Sequence, residues 1–190
     1  MRARNDARSH VRLLVFALVS TILLGGLAGC GGSTTKQPDA AGTELDGDGY
    51  SVNLPVGWRP VEPGPRGGFD TAGRDPRRVD GTSNRLRVRV VRLETEIDEA
   101  ALEDFLRTVM RRVSRSMPKA EMLPPTELDG EAALRYSGLV RGEGTPYFSE
   151  QVAAGRGTEL YTITFVFARS VSQKSRDARI DSVLRSWRWD

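Results

Sequence analysis

Thr158-Glu159-Leu160-Tyr161-Thr162-Ile163-Thr164-Phe165-Val166-Phe167-Ala168 decides the fold. In an extended chain, Tyr161, Ile163, Phe165 and Phe167 fall on one face, while Leu160 and Val166 fall with threonines on the other. A strand that is apolar on both faces needs cover on both sides, so this one is read as central in its sheet. Gly155-Arg156-Gly157 turns the chain just before it, and Tyr147 to Ala154 reads as its neighbour. Gly142-Glu143-Gly144 turns again, and Glu131 to Arg141, with Ala132, Leu134 and Tyr136, supplies a third strand. Turns this tight join antiparallel strands, so the three form a meander.

Helices flank the meander. Downstream, Ser170-Val171-Ser172-Gln173 reads as a capping box. It opens a helix to about Ser186 that buries Ile180, Val183, Leu184 and Trp187. Upstream, Thr95 to Met117 reads as a long helix. Ile97, Ala101, Phe105, Val109 and Val113 recur at four-residue spacing, and Leu102, Leu106 and Met110 widen the stripe. Thr95 or Asp98 can cap its start. Acids crowd its first half and arginines its second, matching the helix dipole, and Pro118 stops it. Arg85 to Leu93 alternates Leu86, Val88 and Val90 with arginines and reads as a strand. The apolar phase shifts at Val91 and Leu93, which marks either a bulge or two-sided burial. Pro60 to Ser83, rich in Pro and Gly, reads as irregular apart from a short strand near Phe69. Asp46-Gly47-Asp48-Gly49 reads as a turn, Tyr50 to Leu54 as a short strand and Trp58 to Val61 as another. Segregated strands and helices give the α+β class.

Tyr50-Ser51-Val52-Asn53-Leu54-Pro55-Val56-Gly57-Trp58 resembles the opening hairpin of PsbP-like domains, the Mog/PsbP fold that includes LpqN-type bacterial lipoproteins. The later order of strand, long helix, meander and final helix, ending in Ser186-Trp187-Arg188-Trp189, is similar too. The resemblance covers residues 45–190 and implies one αβα sandwich. It would have a central antiparallel β-sheet, one long mid-chain helix and a C-terminal helix. Members are mostly non-enzymatic adaptors, so a binding role is implied, with no set of functional residues to carry over.

The start of the chain carries a second resemblance. Arg2, Arg4, Arg8 and Arg12 precede an apolar run from Leu13 to Leu24, shorter than the roughly 20 residues a spanning helix needs. This is the order of a signal peptide, and without paired arginines it suits ordinary export. Leu27-Ala28-Gly29-Cys30 resembles the lipobox of bacterial lipoproteins, in which a peptidase cuts before a lipid-modified cysteine. The resemblance implies residues 1–29 as a signal peptide and palmitate-type acylation at Cys30. It also implies anchorage on the extracytoplasmic face of the cell membrane. Residues 30–44 lack large apolar side chains and read as a flexible tether with a mean span of about 20 Å. The 25 arginines against three lysines fit a GC-rich, actinobacterial-type source.

Composition narrows the chemistry. The chain holds 28 Lys+Arg and 25 Asp+Glu; taking away four and one in residues 1–29 leaves 24 of each. The basic character therefore belongs to the leader, and no nucleic-acid partner is expected. The single histidine, His10, is in the leader, and the single cysteine is Cys30. A Ser-His-Asp triad, a Cys-His pair and a His/Cys zinc site are thereby excluded from residues 31–190. No catalytic residue, metal or cofactor is expected.

Individual motifs are weak. Ser116-Met117-Pro118-Lys119 matches Ser-x-x-Lys, but Pro118 breaks the helix that would bring Ser and Lys together. Asp46-x-Asp48-Gly49 lacks the ligand order of a calcium loop. Trp58 and Trp187 read as core and Trp189 as an edge residue. Tyr147, near a hairpin tip, reads as a contact or as plain surface. The row Arg85, Arg87, Arg89 and Arg92 has two readings. It is either a solvated strand face neutralised by Glu94, Glu96 or helix acids, or a contact for anionic groups through Arg85, Arg87 and Arg89. The function expected is a non-catalytic binding or adaptor module in the cell envelope, partnering an envelope protein, lipid or glycan. A carboxylate-based envelope enzyme would instead show a deep pocket with two convergent raised carboxyls. A structural partner of an envelope complex would show a flat apolar patch.

Overall fold

The computed structural model describes residues 42–63, 68–141 and 144–190. The N-terminal segment with Leu27, Ala28, Gly29 and Cys30 lies outside the described residues. A small sheet is formed by β1 (Glu44–Gly47), β2 (Tyr50–Asn53) and β10 (Arg188–Trp189), with β2 in the middle. The main sheet has seven strands, all antiparallel, in the order β3-β4-β5-β9-β8-β7-β6. They are β3 (Arg59–Pro60), β4 (Thr71–Val79), β5 (Thr82–Arg92), β6 (Glu121–Leu128), β7 (Glu131–Val140), β8 (Tyr147–Arg156) and β9 (Glu159–Ala168). Helix α1 (Glu99–Val113) lies on one face, and α2 (Gln173–Ser186) with the small sheet lies on the other. This is an α+β sandwich about a central antiparallel sheet.

β9 occupies the centre, as its two apolar faces demand. Tyr161, Ile163, Phe165 and Phe167 join Ile180, Val183, Leu184 and Trp187 in the larger core under α2. On the reverse face, Leu160 joins Leu102 and Leu106 of α1 with Leu134, Tyr136 and Ala153.

Both ends of α1 sit on glycines. A Cβ on Gly155 would lie 2.7 Å from Ile97 Cγ2, and one on Gly138 would lie 2.5 Å from Met117 Cγ. The segments that lead into and out of α1 thus approach the sheet closely where it carries no side chain, while Leu102 and Leu106 of the helix pack on Leu134, Tyr136, Ala153 and Leu160. Gly155→Val is expected to cost about 1–3 kcal/mol by overpacking, read as a lowered urea midpoint. An unchanged midpoint would show that Ile97 moves aside freely.

Several expectations are corrected. α1 begins at Glu99 rather than Thr95, because Asp98 is the cap, its Oδ1 accepting from the Ala101 N–H at 2.8 Å. It ends at Val113, four residues before Met117. Ser172, not Ser170, caps α2 by accepting from the Ser175 N–H. The stretch before Ser83 is not irregular but holds the nine-residue β4. Its register shifts between Arg74 and Arg78, and Pro76 falls inside that shift, where a missing N–H is tolerated. Asp75 in the same shift is buried, and its carboxylate accepts from the Arg77 N–H and Nε. Burial raises this carboxyl, but the Arg77 and Asn84 hydrogen bonds outweigh it and hold it below the ordinary value. β5 carries no bulge at Val91; it pairs with β9 in regular register through Arg92. β6 is a fourth strand beyond the expected meander, with its own register shift between Leu123 and Thr126, around Pro124 and Pro125. α2 ends at Ser186 as expected, and beyond it Arg188–Trp189 pairs with β2 as a further strand, β10. Asp46 and Gly47 belong to β1 rather than to the turn.

Candidate binding groove beside the long helix

Strand alternation sends Leu86, Val88 and Val90 of β5 into the α2-side core and Arg85, Arg87, Arg89, Val91 and Leu93 to the α1 side. Helix α1 covers residues of β7, β8 and β9 on that side. The β5 face beside it therefore stays open. Val91 and Leu93 are 38% and 40% exposed, which accounts for the apolar phase shift as a second, partly covered face.

The result is a groove of about 460 Å³ between α1 and β5, walled by Phe69, Val91, Leu93, Phe105, Val109 and Leu160. A pocket of mixed lining, of about 250 Å³, continues it toward the C-terminal end of α1, with Arg85, Ser116, Tyr136, Tyr147 and Ser149 in its wall beside Val113, Met117, Val140 and Val166. Arg87, Gln151 and Thr164 line both compartments. No acidic residue lines either compartment among the described residues.

The arginines separate. Arg87 lies over the Phe69 ring, 5.2 Å from its centroid, a cation–π contact rather than an ion pair. Arg89 Nε donates to the Gly68 carbonyl at 2.6 Å. Arg85 Nε is buried and has no hydrogen-bond partner among the described residues. Burial, together with the charge of Arg87, pushes the Arg85 guanidinium below its ordinary value. Arg92 leaves the row: it lies on the opposite side of β5 and pairs with Glu159. The nearby acids expected for the solvated reading have other partners where they pair at all. Asp98 caps α1, and Glu103 holds Arg107 at 3.1 Å. Tyr136 donates to Gln151 Oε1 at 2.6 Å, and burial pushes its phenol up to about 12. This bond leaves the Gln151 amide nitrogen as a donor for the groove.

A second cleft, of about 660 Å³, opens on the other face between α2 and β6–β8. There Arg135 donates through Nε at 2.9 Å and Nη2 to Oε1 of the buried Glu150. Asp177 and Asp181 of α2 line the same cleft, and Arg176 stacks 3.8 Å from the Phe148 ring centroid. Burial first, then the charges of Asp177 and Asp181, raise the Glu150 carboxyl, with Arg135 opposing. No group of three or more His, Cys, Asp or Glu is placed to hold a metal ion among the described residues. No described helix is long and apolar enough to cross a membrane. Trp58 and Trp187 are buried, while Trp189 is partly buried against the core.

Of the groove's residues, the sequence singled out Arg85, Arg87, Arg89 and Tyr147. It missed Phe69 and Gln151, and it read Phe105 and Val109 as plain core. Those four could be found only by knowing which strands α1 covers.

No family model and no curated protein matches the chain. Solved structures do. LpqN of Mycobacterium tuberculosis, described as involved in cell envelope biogenesis, matches with TM-score 0.59 and 14% identity, covering 76% of this chain and 88% of that one. The cyanobacterial PsbP (CyanoP) of Synechocystis sp. PCC 6803 matches with TM-score 0.55 and 19% identity, covering 86% and 99%. A Bacteroides thetaiotaomicron VPI-5482 protein matches with TM-score 0.54 and 18% identity over 78% of this chain, which spans 48% of that protein's length. At these identities the likeness establishes a PsbP-like fold and nothing finer.

Proposed function

We propose that this chain is a lipid-anchored, non-catalytic binding module of the bacterial cell envelope, held at the outer face of the cell membrane through Cys30. One observation carries the binding reading. The open groove beside α1 combines an apolar wall with Arg85, Arg87 and Arg89, and no acidic residue among the described ones answers them in its lining. Such a site can hold and orient a ligand. It offers no obvious general acid or base, since histidine is missing from residues 31–190 and no carboxyl lines the groove among the described residues. The envelope setting is supported by Leu27-Ala28-Gly29-Cys30 and by the fold shared with LpqN.

The carboxylate-enzyme reading has the α2 cleft as its best support, because Glu150 is raised there beside Asp177 and Asp181. Glu150 is nevertheless tied to Arg135 by two hydrogen bonds, an arrangement suited to structure rather than proton transfer.

Anchorage is tested with Cys30→Ser. Wild-type protein from the membrane fraction is expected to lack residues 1–29 and to carry added acyl mass by intact-mass spectrometry. The variant is expected to show neither change, because the thiol that accepts the lipid is gone. A variant processed and membrane-bound like wild type would refute the anchor.

A further inference from the structure

We propose that the groove beside α1 seats a single-chain amphiphile with an anionic head. Arg85 and Arg87 would hold the head, and the alkyl chain would lie along Phe69, Val91, Leu93 and Val109. This rests on the reading of that groove as the ligand site and names the class of ligand it takes.

Three observations combine. The apolar compartment, about 460 Å³, falls in the size range of ordinary ligand pockets and is lined by aliphatic and aromatic side chains. The adjoining compartment supplies donors: Arg85, Arg87, Tyr147, Ser149 and Gln151. Charge complementarity fixes the sign of the head. Arg85 Nε is buried with no acceptor among the described residues, and a buried guanidinium N–H without an acceptor is costly. Among the described residues Arg87 has the Phe69 ring as its one partner, so its fork is open to a second, bidentate contact. With no acid in either lining among the described residues, a cationic head is repelled, while a neutral head leaves the guanidinium charges unanswered. The two compartments meet at Arg87, Gln151 and Thr164, which sets head and tail end to end.

The shared chemistry is a terminal anion on one alkyl chain, whether phosphate monoester or carboxylate. The protein as processed by its host, purified from whole cells whichever fraction holds it, is titrated, by native mass spectrometry, with dodecyl phosphate, laurate, dodecyl maltoside and dodecyltrimethylammonium, each below its micelle concentration, and with inorganic phosphate. One or both anionic amphiphiles are expected to bind about tenfold or more tighter than the neutral and cationic ones, the effect of one well-placed charged contact. Whichever of the two binds tighter names the head. Inorganic phosphate alone is expected to bind weakly, since it has no tail. Arg85→Gln with Arg87→Gln should lose about tenfold of the anionic preference, and Val91→Glu should weaken binding of every dodecyl compound. Both variants alter part-exposed strand positions, and unchanged thermal midpoints would show that they fold. If the double variant does not fold, the wild-type head-group series and Val91→Glu still decide. Equal binding of all head groups, inorganic phosphate binding as tightly as dodecyl phosphate, or an unchanged double variant would each overturn the proposal. A failed anchor shows instead as an indifferent Cys30→Ser variant, which leaves this titration unaffected.

Discussion

Trp187→Ala is expected to cost the domain about 3–5 kcal/mol, a large part of the roughly 5–15 kcal/mol that a domain of this kind possesses. Trp187 is fully buried at the point where the chain leaves α2. Its ring stacks on Tyr50 at 4.2 Å with the planes 5° apart. Its edge meets Tyr161 at 6.2 Å and Trp189 at 5.2 Å. Four aromatic rings from β2, β9, β10 and the end of α2 thus meet at one place. Truncation leaves an indole-sized void that three separate elements cannot close together. Chemical denaturation should show the lower midpoint. Trp187→Phe separates packing from polarity. The Trp187 Nε1 has no hydrogen-bond partner among the described residues, so removing that N–H relieves a buried unmet donor. Phe should therefore cost far less than Ala. Equal losses would refute the stacking account.

Arg135→Met should be nearly as damaging, and its effect should depend on pH. The Arg135 side chain is 17% exposed and that of Glu150 10%. Removing the cation strands a carboxylate beside Phe165 and Phe167, at a typical cost of about 3–5 kcal/mol near neutral pH. Burial and the α2 acids already raise the Glu150 carboxyl, against the pull of Arg135. A raised carboxyl keeps its proton longer in the folded state than in the unfolded one. Its contribution to stability is therefore complete below about pH 4.3, the unfolded value, and is lost as pH climbs through the folded value. Without Arg135 the folded value climbs further. The deficit of Arg135→Met should be small in mild acid and grow toward neutrality. Urea unfolding from pH 4 to 8 measures it. The double variant Arg135→Met, Glu150→Leu should recover most of the loss. A deficit that ignores pH would mean that Arg135 acts through the packing of its aliphatic stem.

The sequence was most informative where periodicity was long. The ten residues of β9 and the four-residue spacing of α1 could be read directly, because each must match a continuous buried surface. β4 and β6 were hidden by Pro76 and by Pro124-Pro125, residues that usually argue against a strand. Both strands accommodate proline at a register shift. A local signal was nevertheless present for each. Asp80-Gly81 and Asp129-Gly130 close these hairpins with positive φ at both residues, the conformation that Asp-Gly pairs favour. β10 is only two residues long and has no pattern of its own. The arginine face of β5 was legible from alternation. The groove was not, because it depends on α1 packing over Leu134, Tyr136, Ala153 and Leu160 of β7–β9 and leaving the β5 face open, contacts that no pattern within β5 discloses.

β2 is held between β1 and β10, and Asn53 N–H reaches Ser186 Oγ across 133 residues of sequence. The opening hairpin therefore waits for its last neighbour through nearly the whole synthesis of the domain. Pairings this remote form late and slowly. A polypeptide threaded head-first through a narrow translocation channel would stay loose behind its leading end and lock only when the tail arrives. The same closure joins the two ends of the domain through β2, so that a pull on the chain ahead of β1 loads the β1–β2 pairing first and reaches β10 only through β2.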